Sequence, residues 1–275
     1  MTASLPPVLT VDAALARARD LGVERGDAQA LLAHLTGQGR AWLVTHGDTE
    51  VPGAAAALQQ LSEGVPLAHL TGWQPFHGLL LQVSPATLIP RPDTETLVDW
   101  ALELLAALPG SPTVVDLGTG SGAIALAIKA ACPRAQVTAV DLSADALTVA
   151  RANGERLQLD VDWRLGSWFE PLAGQRFDLI VSNPPYIAGD DPHLPALRHE
   201  PLTALTPGGD GLADLQHLVN GAPTHLQPGG WLLMEHGWDQ AEPVAAALRA
   251  HGYRHPTLRR DLAGRARASG GQRPG

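Results

Sequence analysis

From residue 94 onward, apolar runs of strand length alternate with helical patterns, and this alternation constrains the fold more than any other feature of the chain. Helical spacing covers residues 94–107, 123–131, 144–157, 212–226 and 243–251. Strand-like runs cover 113–117, 136–140, about 160–164, 177–181 and 230–235. Strands that alternate with helices need crossover connections, and these give a mostly parallel, doubly wound α/β sheet.

The first 61 residues read differently. Thr10 can cap a helix carrying Ala14, Leu15, Ala18 and Leu21 at helical spacing, with Gly22 to end it. Asp27 can cap a second, with Ala30, Leu31, His34 and Leu35 on one face and Gly37 at its end. A third starts near Arg40, and a fourth after Pro52 repeats Ala55, Leu58 and Leu61 before Gly64. These predict a small helical bundle of about 60 to 70 residues. Between 67 and 92 the breakers Gly72, Pro75, Gly78, Pro85, Pro90 and Pro92 predict no helix. Leu79 to Val83 reads as a strand entered through a turn at Phe76-His77-Gly78. The expected organisation is a helical domain over 1–73, a hairpin-bearing linker over 74–92 and an α/β domain over 93–275.

Composition narrows the partners. The 275 residues carry 28 acidic and 19 basic side chains, a formal net charge of -9. A protein that grips duplex phosphates usually shows a basic face, so this balance argues against nucleic acid as a direct partner. Cys132 is the single cysteine, which excludes an intrachain disulfide and reads as a small buried hydrophobe. Residues 1–10 lack the basic start and apolar core of a signal peptide. No apolar stretch reaches the roughly 20 residues of a membrane helix. The expectation is a cytoplasmic monomer that does not engage membranes. His34, His69 and His236 read as structural.

The turn after 113–117 is Asp116-Leu117-Gly118-Thr119-Gly120-Ser121-Gly122, between a strand and a helix. Its glycines let the backbone approach a ligand closely and predict free amide N–H groups at the helix start. The spacing G-x-G-x-G departs from the dinucleotide fingerprint G-x-G-x-x-G. Asp141 ends the next strand, about twenty residues on, where a carboxylate can accept both ribose hydroxyls or else cap the following helix. Asp116 would repel a pyrophosphate and attract a methionine ammonium. Together the loop and the two acids favour S-adenosylmethionine over NAD. Trp168, after the third strand, would stack on adenine or pack under the sheet.

Asn183-Pro184-Pro185-Tyr186 follows the strand 177–181 and is the most informative stretch. Asn183 precedes proline and is held extended; two prolines fix the backbone beyond it and donate no N–H. The Asn183 side-chain oxygen and the Pro184 carbonyl can then face one point as paired acceptors for a primary amide or amine. Tyr186 would supply a flat wall. An amide nitrogen is a poor nucleophile, and acceptors that grip its hydrogens orient it and stabilise the charge that grows during methyl transfer. No Ser-His-Asp or metal set has credible spacing.

These residues resemble the bacterial methyltransferases that modify N5 of the glutamine in the Gly-Gly-Gln motif of release factors. The likeness covers nearly the whole chain. It includes Gly64-Val65-Pro66-Leu67, Leu70-Thr71-Gly72, Phe76-His77-Gly78-Leu79 and Leu88-Ile89-Pro90-Arg91-Pro92-Asp93-Thr94-Glu95. It continues through the glycine loop, Asp141, Trp168 and Asn183 to Tyr186, to His199-Glu200-Pro201-Leu202-Thr203-Ala204-Leu205 and Asp210-Gly211-Leu212. It implies a class I, Rossmann-like methyltransferase sheet and an N-terminal helical domain that helps dock a release factor. It also implies cofactor contacts at Gly118, Thr119, Gly120, Ser121, Gly122, Asp141, Trp168 and Asn183, with the substrate glutamine held by Asn183, Pro184, Pro185 and Tyr186. Asn183 and Pro184 would be the catalytic pair. A glutamine methyltransferase of a ribosomal protein, a DNA adenine methyltransferase and a non-catalytic cofactor-binding scaffold are the alternatives. Arg91 and Glu95 read equally as helix-start charges or as residues that shape the site. The tail Arg267-Ala268-Ser269-Gly270-Gly271 is poor in strand formers, so the closing hairpin is expected to be short or frayed and the glycine-rich end disordered. Gly270-Gly271-Gln272 spells the motif to be methylated, which raises self-methylation as a remote reading.

Overall fold

The computed structural model describes residues 8–275 and divides into two compact units that meet in sequence at Trp73/Gln74. The signal-peptide reading rests on residues 1–10, of which 1–7 lie outside the described residues. No helix among the described residues is long and apolar enough to cross a membrane.

In the first unit, β1(Leu9–Thr10) pairs antiparallel with β2(Glu50–Val51), beside α1(Val11–Asp20), α2(Arg25–Thr36), α3(Arg40–Thr45), α4(Ala54–Ser62) and α5(Leu67–Thr71). Thr10 caps α1 by accepting the Ala13 N–H at 3.3 Å. Val11, Ala14, Leu31, Leu32 and Leu58 are fully buried and form the core of this unit. Two details differ from expectation. Glu24 stands at the start of α2, so Asp27 lies in its first turn, where its charge still complements the helix dipole. α5 forms among the predicted breakers because they sit at its ends: Pro66 precedes it and Gly72, at φ 78°, closes it in the left-handed region.

The second unit begins one residue into β3(Trp73–Phe76), which forms a two-stranded sheet with β4(Leu79–Gln82). Phe76 and Leu81 are buried in the same core as Leu97, Val98 and Trp100 of α6(Glu95–Ala107), so segment 74–92 packs within this unit. There follow β5(Thr113–Leu117), α7(Ala123–Ala131), β6(Gln136–Asp141), α8(Ala144–Leu157), β7(Asp162–Leu165), β8(Phe177–Ser182), α9(Ala213–His225), β9(Leu226–Glu235), α10(Ala241–Ala250), β10(Arg254–Arg260) and β11(Ala266–Gln272). They build a seven-stranded sheet in the order β10, β11, β9, β8, β5, β6, β7. β9, β8, β5, β6 and β7 run parallel; β11 is antiparallel to both neighbours. The central strands carry helices on both faces, which is why Val114, Val115 and Leu117 are buried in succession. Cys132, expected to be buried, is half-buried at the end of α7.

The C-terminal end corrects the expectation most clearly. β10 and β11 form a full hairpin, and β11 lies between β9 and β10. Its glycines answer to packing. A Cβ on Gly270 would lie 2.6 Å from the Leu232 carbonyl oxygen and 2.8 Å from the Trp100 ring; one on Gly271 would lie 2.8 Å from Tyr253 Cβ. Gln272 donates from Nε2 to the Gly229 carbonyl at 2.8 Å, so its amide is a strand-end clamp. His236 is fully buried and ties β9 to β11 through Ser269 Oγ at 2.8 Å, a structural role as expected.

Candidate active site

Strand order reverses at β5: β6 and β7 extend to one side, while β8 and β9 are laid down on the other, all parallel. In such sheets the crevice beyond the strand ends at this reversal is the natural ligand site. A cavity of about 340 Å³ opens there, lined among others by Gly118, Asp141, Trp168, Asn183, Arg91 and Thr94.

The glycine loop is held by its own fold. Gly118 and Thr119 donate their N–H groups to the Val140 carbonyl at 2.9 and 3.0 Å, and Gly120 donates to Asp141 Oδ2 at 2.8 Å. The expectation of free amides therefore fails at these positions; the donors a phosphate would need are used inside the protein. Gly118, at φ 73°, faces the Trp168 ring, and a Cβ there would lie 3.4 Å from it. Gly122 serves packing, since a Cβ would lie 3.0 Å from Trp163 and 3.1 Å from Leu126. Thr119, Gly120 and Ser121 line the cavity and Gly122 does not.

Asp116 differs from expectation. It is fully buried beneath the loop and does not line the cavity. Its Oδ2 accepts from Thr119 Oγ1 at 2.6 Å and from the Ala125 N–H at 3.2 Å. Oδ1 has no hydrogen-bond partner among the described residues. Burial pushes the carboxyl up to about 7. Asp141 does line the cavity, at the end of β6, with Oδ1 accepting the Ser143 N–H at 2.8 Å. The cap of α8 is Ser143, which accepts from Ala146 N at 3.1 Å, so the capping alternative for Asp141 falls away. Burial raises the Asp141 carboxyl above its ordinary range. Trp168 lines the cavity and also packs on the core around Leu172 and Leu215.

At the end of β8, Asn183 and Pro185 line the cavity; Pro184 is buried and Tyr186 does not border it. Tyr186 instead donates its hydroxyl to Glu235 Oε1 at 3.0 Å, and its carbonyl accepts from Gln240 Nε2 at 2.9 Å. A Cβ on Gly211 would overlap that same carbonyl oxygen, so only glycine fits beside it. Asn183 donates from Nδ2 to Thr94 Oγ1 at 3.3 Å. Arg91 lines the cavity and is ion-paired with the buried Glu200, which also accepts the Ile89 N–H at 2.8 Å. Glu95 accepts the His77 N–H at 2.8 Å and holds the turn between β3 and β4.

Some residues carry no local signature in the sequence. Thr94 is buried against Asn183, and Glu235 at the end of β9 is buried with its carboxyl raised by desolvation, against which hydrogen bonds from Thr94 and Tyr186 act. Asn153 of α8 is fully buried and joins β4 to the glycine loop. It accepts the Gln82 N–H at 2.7 Å and donates to the Gln82 and Ser121 carbonyls at 2.9 and 3.0 Å. Asp214, on the first turn of α9, also lines the cavity, and burial raises its carboxyl.

A doubly wound sheet closed by an antiparallel hairpin, with a glycine loop and an acid at the reversal point, is the class I methyltransferase fold. The fold is shared with a methyltransferase from Pyrococcus furiosus, at a TM-score of 0.54 and 21% identity over 72% of this chain and 90% of that one. Residues 95–213 match the methyltransferase small domain, and residues 11–72 the PrmC N-terminal domain. A release factor glutamine methyltransferase of Xylella fastidiosa (strain Temecula1) is 51% identical over 92% of this chain and 94% of its own. The protein of that name from Bordetella pertussis is 51% identical over 92% and 96%. The chain belongs to the release factor glutamine methyltransferase family.

Proposed function

We propose that this enzyme transfers a methyl group from S-adenosylmethionine to the side-chain N5 of the glutamine in the Gly-Gly-Gln motif of peptide chain release factors. The observation that carries the reading is one cavity bordered both by Gly118, Asp141 and Trp168 and by Asn183. The residues present fit the cofactor. Loop amides already bonded within the protein suit a ligand without phosphates, Asp141 offers remaining lone pairs to ribose hydroxyls, and the Trp168 indole offers a face to adenine. Asp116, buried beneath the loop, supports it through the Thr119 hydroxyl and the Ala125 N–H rather than by meeting the ligand itself.

S-adenosylmethionine, held by the loop from Gly118, by Asp141 and by Trp168, would supply an electrophilic methyl group, and the substrate amide nitrogen would accept it in exchange for one of its N–H protons. The chain's own contribution is to orient and polarise. Asn183 Nδ2 is committed to Thr94, which leaves Oδ1 as the acceptor. Oδ1 accepts one amide hydrogen at the cavity wall; the Pro184 carbonyl, although Pro184 itself lies behind that wall, is the second acceptor of this reading, and the growing positive charge on nitrogen would strengthen both bonds. The helical unit matched by the PrmC N-terminal domain supports a role in docking the release factor.

Labelled S-adenosylmethionine, offered with a release factor, a ribosomal protein extract or duplex DNA, tests the reading. Label on the release factor, lost with Asn183→Ala enzyme, is expected. Label on the ribosomal fraction or on DNA alone would transfer the assignment to that substrate.

A further inference from the structure

The stretch from Asn183 to Tyr186 leaves the sheet at Ser182, where β8 still pairs with Leu117 of β5 and Met234 of β9. Beyond that point it has few means of its own to hold a place at the cavity wall. Pro184 and Pro185 carry no N–H, so they cannot tie the turn to its neighbours through their own amides. The way the turn presents Asn183 and Pro185 to the cavity therefore depends on what grips its far end.

That grip falls on Tyr186 and the residue after it. The Tyr186 carbonyl accepts from Gln240 Nε2 at 2.9 Å, and the Ile187 N–H donates to the Leu205 carbonyl at 2.9 Å. Gln240 is 9% exposed and stands between β9 and α10, beside the turn because β8 and β9 are parallel neighbours. It occupies the cap position of α10, yet its side chain makes no capping bond to that helix. Both ends of the side-chain amide are spent elsewhere. Oε1 accepts the Gly237 N–H at 2.8 Å, while the Gln240 backbone N–H donates to the Gly237 carbonyl at 2.9 Å. An N–H needs an acceptor and a carbonyl needs a donor, so a flipped amide would lose both bonds and only one orientation serves. The space around this bond is kept clear by Gly211. A Cβ there would overlap the Tyr186 carbonyl and lie 3.0 Å from Gln240 Nε2.

We propose that Gln240 is a positioning residue for methyl transfer: by bridging Gly237 to the Tyr186 carbonyl, it fixes the stretch that holds Asn183 and Pro185 at the cavity wall. The inference rests on the proposed function for its substrate, though not for its geometry. Two substitutions of similar size separate this role from mere packing. Gln240→Leu removes both side-chain bonds. Gln240→Glu keeps an acceptor for Gly237, but as a carboxylate it turns an oxygen toward the Tyr186 carbonyl, and only as a neutral acid does it regain a donor.

The test measures kcat and KM for release factor at saturating cofactor, with full-length wild type, Gln240→Leu and Gln240→Glu. Gln240→Leu should lower kcat about 10- to 100-fold at every pH, as expected when a reacting group loses its orientation. Gln240→Glu should fall by a similar factor near pH 8. Burial favours the neutral form of the introduced carboxyl, so the ratio of its kcat to wild type should climb about fivefold or more as pH falls to about 6. Cofactor affinity by calorimetry should stay within about twofold of wild type, since Gly118, Asp141 and Trp168 follow other strands. Wild-type kcat in Gln240→Leu, a Gln240→Glu ratio that stays flat across this range, or a parallel loss of cofactor affinity would overturn the proposal. Should Gln240→Leu fail to fold, the Gln240→Glu ratio alone decides. If wild type labels a ribosomal protein or DNA instead of release factor, the release-factor reading falls, and the same comparison on that substrate still decides the role of Gln240.

Discussion

Asp116 gives the clearest consequence at the scale of one residue. Burial lifts its carboxyl from 3.8 to about 7. Between those values the folded chain holds the proton more tightly than the unfolded chain does. The stability this group supplies is therefore complete below about pH 4 and is lost as pH rises through 7. Asp116→Asn removes the titration while keeping an oxygen for Thr119. Its stability relative to wild type should climb by on the order of 2 kcal/mol between about pH 5 and pH 8. Thermal melts across that range check this, and parallel profiles for the two proteins would contradict it. Gly270 is a second such position: Gly270→Ala must press a methyl into Leu232 and Trp100, at a cost of about 1–3 kcal/mol in a denaturant melt. Residues with a local chemical signature, such as Asp141 after a strand or Asn183 before two prolines, were legible in the sequence. Thr94 was not, because its partner Asn183 lies 89 residues away and only the folded sheet brings them together.

Elements were legible where period and length agreed. The parallel strands and their helices follow the apolar pattern closely, since strands buried on both faces leave continuous runs of Val, Ile and Leu. Short elements bounded by prolines and glycines were not: α5 is five residues between Pro66 and Gly72. β11 failed for a different reason. Its Ala, Ser and Gly carry little strand propensity, yet neighbours Leu233, Trp100 and Tyr253 leave no room for larger side chains, so packing overrides propensity. A strand held by partners on both edges should exchange slowly. Hydrogen exchange is predicted to find the amides of Ser269, Gly270 and Gly271 protected as long as those of β9. Exchange at the rate of an open chain end would restore the frayed tail that composition suggested.

At the scale of the molecule, the chain joins a small helical unit to a methyltransferase unit whose cavity lies wholly within residues 76–214. A short peptide containing Gly-Gly-Gln carries the reacting amide but nothing for the helical unit to dock, so it tests the docking role proposed for that unit. Intact release factor should therefore exceed the peptide in kcat/KM by about tenfold or more, through binding energy from parts remote from the reacting amide. Equal values would remove the docking role. The central claim, that the amide gripped at Asn183 is the glutamine of the release-factor motif, is tested most directly by fragment mass spectrometry of release factor after one incubation with enzyme and S-adenosylmethionine. The account predicts a single added methyl on that glutamine, absent with Asn183→Ala enzyme. A methyl on any other residue, or an unmodified glutamine with active wild-type enzyme, would contradict it.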